Sequence, residues 1–262
     1  MNLSLVKTAT DERADRLLAR EARWLRSLEE VRDLAGQVPR LIEEGTAPGG
    51  RRYLVMSIAP VRGETRAFTP EHARFLASLG KARFRTTDFE LSGCAQDISR
   101  ALEEAEDYAP EKTLATLQEA YRECETALLY WTGPYVLAQG DFAPWNVRST
   151  GEQLFVFDWS QARAEASPLD DVLHYLTAQR VLSRRPLTAA KLRAAMKSAR
   201  EFALAAYPGW SWRGRVIGVL TLVYLIGAAL RRGAAVRSMD ERDPLVDAYL
   251  KLIETRSAWM PA

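Results

Sequence analysis

The stretch QGDFAPWN at Gln139–Asn146 decides the fold, together with the apolar run LFVFD at Leu154–Asp158 that follows it. These segments place two carboxylates and one carboxamide on short loops at the ends of apolar, strand-like runs. Phosphoryl transfer to a hydroxyl needs such a set, because a base must face the acceptor while oxygen ligands hold Mg²⁺ at the triphosphate. The pattern therefore predicts Asp141 as the base, with Asn146 and Asp158 as the metal ligands.

The motifs resemble the catalytic loop and the metal-binding aspartate of the aminoglycoside phosphotransferase/choline kinase-like family. Members of that family read H-G-D-x-x-x-x-N, followed by a strand that ends in I/V-D-W. The resemblance runs from about residue 3 to the C-terminal helices, and it implies an α+β, protein-kinase-like bilobal fold that binds ATP and Mg²⁺ and acts on a small molecule. The implied lobes are a truncated N-lobe with the hinge over residues 1–60, and a mainly helical C-lobe over residues 61–262.

Size and composition narrow the class of protein. The chain has 262 residues with 47% hydrophobic content, enough for a sizeable core, and a net charge of only +2, which gives no reason to expect nucleic-acid binding. The start of the sequence shows no signal-peptide pattern, so we expect a cytoplasmic protein. The apolar run at 216–230 is too short to span a bilayer, and it predicts a buried core helix.

The first helix carries a carboxylate where an apolar residue would be expected. The sequence predicts a strand at 3–8 and an amphipathic helix at 11–28, and Glu21 falls in the middle of the apolar stripe of that helix. A carboxylate that faces a core is costly unless it is paired, and Lys7 on the preceding strand is an available partner. In the resembling family such a lysine holds the α- and β-phosphates. The alternative is a partly exposed helix with Glu21 at its margin.

Two further segments contribute to the predicted site. The apolar strand 53–58 corresponds in the resembling family to the strand before the hinge, so the backbone of Ser57, Ile58 and Ala59 is the candidate adenine edge. An ordinary strand followed by a loop fits this segment equally well. Residues 147–157 predict a small hairpin that brings its two ends, and hence the two metal ligands, together.

The sequence departs from the family pattern in two places. Kinase-like folds open with a strand, a glycine-rich loop and a second strand before the lysine strand, whereas the first 44 residues here contain only Gly36. We therefore expect the strand that carries Lys7 to be a sheet edge, and the phosphates to lack a backbone lid. Gln139 stands where the family has histidine, and it can still orient neighbouring backbone, because its side chain both donates and accepts hydrogen bonds.

Two functions from different classes remain open. One is an ATP- and Mg²⁺-dependent phosphotransferase that acts on a hydroxyl of a small molecule, and the other is a kinase-like nucleotide-binding or regulatory protein with little turnover. Residues 184–232 hold ten Lys or Arg against one acid, Glu201. This bias disfavours a cationic aminoglycoside acceptor and favours a sugar that carries phosphate or carboxylate, although a solvated basic face explains the charges as well.

Overall fold

The computed structural model describes residues 4–58, 63, 67–149, 153–239 and 243–261. The chain forms two compact units, one made of Met1–Ala82 with Leu137–Arg163 and the other of Arg83–Val136 with Ala164–Ala262. This division follows the packing of the chain rather than its order, so the lobe boundary expected near residue 60 stays a prediction. Ala59, one of the three residues of the candidate adenine edge, lies outside the described residues.

The first unit is built on a three-stranded antiparallel sheet of order β1-β3-β2. A two-stranded hairpin, β6-β7, and two helices complete it, with single 3₁₀ turns at Arg32–Leu34, Pro144–Asn146 and Trp159–Gln161. The element bounds are β1 Ser4–Thr8, α1 Glu12–Glu29, β2 Leu41–Thr46, β3 Arg52–Ser57, α2 Pro70–Ala82, β6 Val147–Ser149 and β7 Leu154–Val156.

Helix α1 shows the amphipathic pattern that the sequence predicts. The Asp11 side chain caps its first turn by accepting a hydrogen bond from the Ala14 N–H at 2.7 Å. The buried face repeats every three or four residues, as one side of an α-helix requires, and consists of Leu18, Glu21, Ala22, Leu25 and Leu28. Glu21 is only 1% exposed, so the alternative of a carboxylate at the margin of the helix is wrong.

Strand β1 pairs only with β3 among the described residues, which confirms the expectation of a sheet edge. The Ala9 N–H, just after β1, donates to Arg52 O at 2.9 Å. Because hydrogen-bonded and non-hydrogen-bonded pairs alternate along the regular antiparallel register of β1 and β3, the odd-numbered residues of β1 are those that hydrogen-bond to β3. The N–H and C=O groups of the even-numbered residues therefore point away from β3, toward the open edge. Leu5 and Val6 are 44% and 58% exposed at this edge.

The second unit is mainly helical, with one small sheet of order β4-β5-β8. Its helices include α7, Gly214–Val236, whose 23 residues exceed the run expected from sequence and are long and apolar enough to cross a membrane by length and composition alone, although 78% of its most apolar segment is buried inside the protein. Helix α7 packs against α3, α4 and α8, which confirms the buried core helix. The bounds are β4 Phe84–Asp88, α3 Gly93–Ala105, α4 Glu111–Leu128, β5 Thr132–Ala138, β8 Arg163–Ala166, α5 Asp170–Leu182, α6 Ala189–Ala206, α7 as above and α8 Pro244–Glu254.

Candidate active site

A cavity of about 270 Å³ lies within the first unit and brings together five of the predicted site residues. Lys7, Glu21, Ser57, Ile58 and Asp158 all line it, although they come from four separate segments of the chain. Arg148 lines the same cavity, so two cations, Lys7 and Arg148, and two carboxylates, Glu21 and Asp158, surround it. Asp141 and Asn146 belong to the same unit and connect to this cavity through the hairpin that follows them.

The Lys7–Glu21 ion pair is present as predicted. Lys7 Nζ lies 2.9 and 2.8 Å from the two Glu21 carboxylate oxygens, and 3.4 Å from Asp158 Oδ1. The Trp159 N–H also donates to Glu21 Oε1, at 3.2 Å. Burial raises the pKa of the Glu21 carboxyl, while the adjacent ammonium of Lys7 opposes that rise. The ion pair thus holds the Lys7 ammonium beside a second carboxylate, that of Asp158, at the cavity wall.

The loop that carries Asp141 depends on glycine at position 140. Gly140 has φ +87°, and a Cβ there would stand 2.1 Å from Gln161 O, so a larger residue would force the backbone apart. Asp141 Oδ2 accepts hydrogen bonds from Asn146 Nδ2 at 2.7 Å and from Trp145 Nε1 at 3.3 Å. These bonds hold the carboxylate in one orientation, which is what a base that receives a proton from a bound hydroxyl requires.

The β6-β7 hairpin joins the two predicted metal ligands. Val147 pairs with Val156, and beyond that pair the Phe157 N–H donates to Asn146 O at 3.1 Å. Asn146 and Asp158 therefore lie at the same, open end of one short ladder, which confirms the predicted hairpin; residues 150–152 of its predicted turn lie outside the described residues. Asp158 adopts a left-handed backbone conformation with φ 61°, and Ser160 Oγ donates to its Oδ1 at 2.9 Å.

Gln139 performs the backbone-orienting task expected of it. Its Nε2 donates to Phe157 O at 3.1 Å and to Asp158 O at 2.6 Å, and its Oε1 accepts from the Asp141 N–H at 2.8 Å. The residue is completely buried. One side chain thus ties the base loop to the backbone of the metal-ligand turn.

The residues at the hairpin ends fit a magnesium ion that a nucleotide would complete. Carboxylate and amide oxygens are the ligands that Mg²⁺ prefers, and it is usually held by one or two protein groups together with phosphates and water. The hydrogen bonds of Asn146 to Asp141 use Nδ2, so its amide oxygen would be the atom that binds a metal ion there. No cluster of three or more His, Cys, Asp or Glu suited to a metal occurs in the described part of the chain, so the protein alone offers no closed cage.

The candidate adenine edge is only partly free to bind a base. The Ser57 N–H donates to Arg40 O at 3.0 Å, and Ser57 Oγ accepts from the Arg40 N–H at 2.9 Å. This donor of Ser57 is therefore already used inside the sheet. Ile58 lies just beyond the end of β3 and lines the cavity. Of the two described residues of the candidate edge, it is the one outside the strand.

Three residues of the site were missed by the sequence predictions. Trp145 and Ser160 donate to the Asp141 and Asp158 carboxylates, and Arg148 lines the cavity. Their signal in the sequence is proximity alone, since each lies within four residues of a predicted site residue. A donor near a functional carboxylate is a common arrangement, but only the folded backbone shows which donors turn toward it.

Comparison with known proteins gives a consistent family. A family model described as "Phosphotransferase enzyme family" matches residues 5–202, while no curated protein sequence matches the chain. Among solved structures, a choline/ethanolamine kinase family protein from Mesorhizobium loti aligns with TM-score 0.60 and 17% identity, covering 97% of this chain and 82% of that one.

Two aminoglycoside phosphotransferases also align over nearly the whole chain. The gentamicin complex of APH(2'')-IIa has TM-score 0.57 and 18% identity, covering 98% of this chain and 86% of the other. A thermostable mutant of APH(4)-Ia, in a ternary complex with AMP-PNP and hygromycin B, has TM-score 0.60 and 14% identity, with coverage of 97% and 87%. At such low identities the likeness shows the protein-kinase-like fold alone. Because the family model spans most of the chain, the protein belongs to the phosphotransferase enzyme family.

Proposed function

We propose that this protein is an ATP- and Mg²⁺-dependent phosphotransferase that transfers the γ-phosphoryl group of ATP to a hydroxyl of a small molecule. One observation carries the proposal. Lys7 contacts Glu21 and Asp158 together, and the hairpin ladder links Asp158 to Asn146, whose amide holds the Asp141 carboxylate. A phosphate-binding cation, two metal-ligand candidates and a base candidate therefore belong to one connected network, as phosphoryl transfer requires.

Each residue of this network has a distinct role in the proposed reaction. Lys7, held in place by Glu21, binds the α- and β-phosphates. Asp141 orients the acceptor hydroxyl and takes its proton as the hydroxyl oxygen bonds to the γ-phosphorus and the bond to the ADP oxygen breaks. Asn146 and Asp158 hold Mg²⁺, which when bound supplies positive charge to the β- and γ-phosphates. The backbone of Ser57, Ile58 and Ala59 is proposed to receive the adenine, mainly through the residues beyond the strand.

The acceptor is proposed to be a hydroxyl-bearing sugar derivative with an acidic group. The excess of cations in residues 184–232 supports an anionic acceptor, because opposite charges raise both affinity and encounter rate. At least three of those cations are engaged within the second unit: Arg193 Nη1 donates to Ala258 O at 2.7 Å, Arg200 Nε to Trp212 O at 2.8 Å, and Arg232 Nε to Asp243 Oδ2 at 2.7 Å. The argument rests on six exposed cations of the segment, which are Arg184, Arg185, Lys191, Lys197, Arg213 and Arg215. Cys94 and Cys124 are buried and are not joined in a disulfide, which supports a cytoplasmic location.

A second candidate is a kinase-like nucleotide-binding or regulatory protein with little turnover. It is favoured by the open edge at β1, where Leu5 lines the cavity beside Lys7 and is itself 44% exposed. A nucleotide phosphate bound at Lys7 would be less shielded from water at such an edge, and exclusion of water strengthens the electrostatic stabilisation on which catalysis depends.

The two candidates are separated by ADP release from MgATP, measured with a panel of neutral, acidic and cationic sugar hydroxyl acceptors. For the phosphotransferase, we expect acceptor-dependent turnover that Asp141→Asn lowers by about 10²–10⁴-fold, with little change in MgATP affinity, because a general base acts in the transition state. Asp107→Asn, at an exposed position in the second unit, is the matched control and should leave turnover unchanged. Near-normal turnover of Asp141→Asn would exclude the base, whereas MgATP binding without turnover on any acceptor would favour the second candidate.

A further inference from the structure

Arg148 occupies a position that links the cavity to the metal-ligand turn. Its side chain lines the cavity, while its Nη1 atom lies within hydrogen-bond distance of the backbone of the preceding turn. The distances to the three carbonyl oxygens are 3.3 Å for Pro144, 3.2 Å for Trp145 and 2.9 Å for Val147. One guanidinium nitrogen carries only two hydrogens, so these carbonyls share its donors.

Two of these carbonyls belong to the turn that presents Asn146, and the third, that of Val147, directly follows the turn. The 3₁₀ turn Pro144–Asn146 is a single turn, closed by the Asn146 N–H to Ala143 O bond at 2.8 Å. The carbonyls at the end of so short a helix have no partner within the helix, and a cationic side chain stabilises such an end. Arg148 supplies that cation from the first strand of the hairpin and so holds the backbone on both sides of Asn146.

The same guanidinium also contacts the residue before Asp158. Its central carbon lies 5.1 Å from the centroid of the Phe157 ring, a distance typical of a cation–π interaction. The ring is anchored in turn, because the Phe157 N–H donates to Asn146 O and the Phe157 carbonyl accepts from Gln139. Arg148 therefore bridges the segment that ends in Asn146 and the segment that leads into Asp158.

We propose that Arg148 is a positioning residue for the metal site: by bridging the Pro144–Val147 segment and the Phe157 ring, it fixes the spacing of Asn146 and Asp158 so that both oxygens reach one Mg²⁺. This inference rests on the proposed function, since it assumes that these two residues bind the metal. Arg148 itself carries no ligand atom for a cation. Its effect is therefore expected in the metal dependence of nucleotide binding.

The test measures how much Mg²⁺ strengthens ATP binding. Calorimetric titrations of ATP, with Mg²⁺ and with EDTA, give a ratio of dissociation constants for each variant. Arg148→Met keeps an unbranched apolar chain against Phe157 but removes every donor, and we expect the ratio to fall by about tenfold, the range for residues that orient metal ligands. Arg148→Lys keeps a cation with three donors and should retain the ratio within about threefold. Arg26→Met, which removes an exposed arginine paired with Glu44 outside the cavity, is the control and should retain it fully.

A double variant separates positioning from a general loss of structure. In an Asn146→Ala background only one of the two ligands is left, so Arg148 has no spacing to fix, and adding Arg148→Met should lower the ratio no further. A further loss of similar size in that background would overturn the proposal. If Arg148→Met does not fold, Phe157→Leu replaces it, because this change removes the aromatic partner and should lower the ratio by about threefold, in proportion to a lost contact of roughly 0.5–1 kcal/mol.

The outcomes also separate this inference from the function on which it rests. A wild-type protein with a large Mg²⁺ ratio that Arg148→Met preserves would overturn the positioning role and leave the phosphotransferase proposal standing. A wild-type protein that binds ATP equally with and without Mg²⁺ would overturn both, because no metal would then be held at Asn146 and Asp158.

Discussion

Replacement of Gln139 by leucine should weaken the fold and the site together. The side chain is completely buried and makes three hydrogen bonds to backbone, through the Phe157 and Asp158 carbonyls and the Asp141 N–H. Leucine has a similar volume but no polar atoms, so three backbone groups around the buried side chain would lose their partner. At about 1 kcal/mol or more for each group, we expect the free energy of unfolding to fall by about 3 kcal/mol.

The same substitution should release the metal-ligand turn. Asp158 holds φ 61°, a left-handed conformation that costs an L-residue roughly 1–2 kcal/mol, and the bond from Gln139 to its carbonyl helps to maintain it. We therefore expect Gln139→Leu to lower MgATP affinity more than the affinity for metal-free ATP. Gln139→His should lose only about 1 kcal/mol of stability, because a neutral imidazole retains one donor and one acceptor.

Urea unfolding with linear extrapolation, combined with calorimetric titration of MgATP, measures both effects. Gln96→Leu, an exposed glutamine on α3, is the control and should change stability by less than about 0.5 kcal/mol. A Gln139→Leu variant as stable as the control, with unchanged MgATP affinity, would refute the conclusion that these three contacts hold the loop and the turn in place.

Three more outcomes follow from the contacts in the first unit. Lys7→Met should cost about 3–5 kcal/mol at pH 8 by leaving the Glu21 carboxylate buried without its cation. This loss of unfolding free energy should be smaller at pH 5, because burial raises the Glu21 pKa and the folded variant then binds a proton more readily than the unfolded chain does. Equal losses, measured by urea unfolding at both pH values, would contradict this explanation. Burial lowers the pKa of His72 from 6.5 to about 4, so the unfolded state binds its proton first, and stability should fall by up to about 3 kcal/mol as the pH drops from about 6.5 to 4. His72→Gln should remove that part of the pH dependence, and an unchanged slope in urea unfolding would exclude the assignment. Val6→Pro should lower the free energy of unfolding by less than about 1 kcal/mol, because the Val6 N–H points to the open edge of the sheet, whereas Leu5→Pro removes a hydrogen bond of the ladder and should lower it by about 3 kcal/mol. Thermal unfolding that ranks the two variants in the opposite order would show the register to be wrong.

The sequence predicts the parts of the site that local rules control. The spacing of Asp141 and Asn146 within one loop, the apolar stripe interrupted by Glu21, and the short hairpin before Asp158 are all visible as local patterns. Each depends on a period, a turn signal or the cost of an unpaired buried charge. The structure confirms the ion pair and the hairpin, and the catalytic and metal roles remain proposals.

The rest depends on packing between segments far apart in the chain. Gly140 is required because its Cβ position meets the carbonyl of Gln161, a contact that no local pattern predicts. The occupied N–H of Ser57 results from pairing with the segment at Arg40, and a strand's pairing partner cannot be read from its own residues. Arg148 looks from sequence like an ordinary polar residue in a short strand. Its three carbonyl contacts follow only from the fold of the turn before it.

The proposed metal site is tested most directly by titrating ATP into the wild-type protein and into Asp158→Ala, with Mg²⁺ and with EDTA. We expect Mg²⁺ to strengthen ATP binding to the wild type and to have no such effect on Asp158→Ala, because the carboxylate at the hairpin end is then missing. Asp107→Asn, exposed in the second unit, should behave like the wild type. Equal strengthening by Mg²⁺ in Asp158→Ala would contradict the assignment of Asp158, and no strengthening in the wild type would contradict metal-dependent nucleotide binding at this cavity.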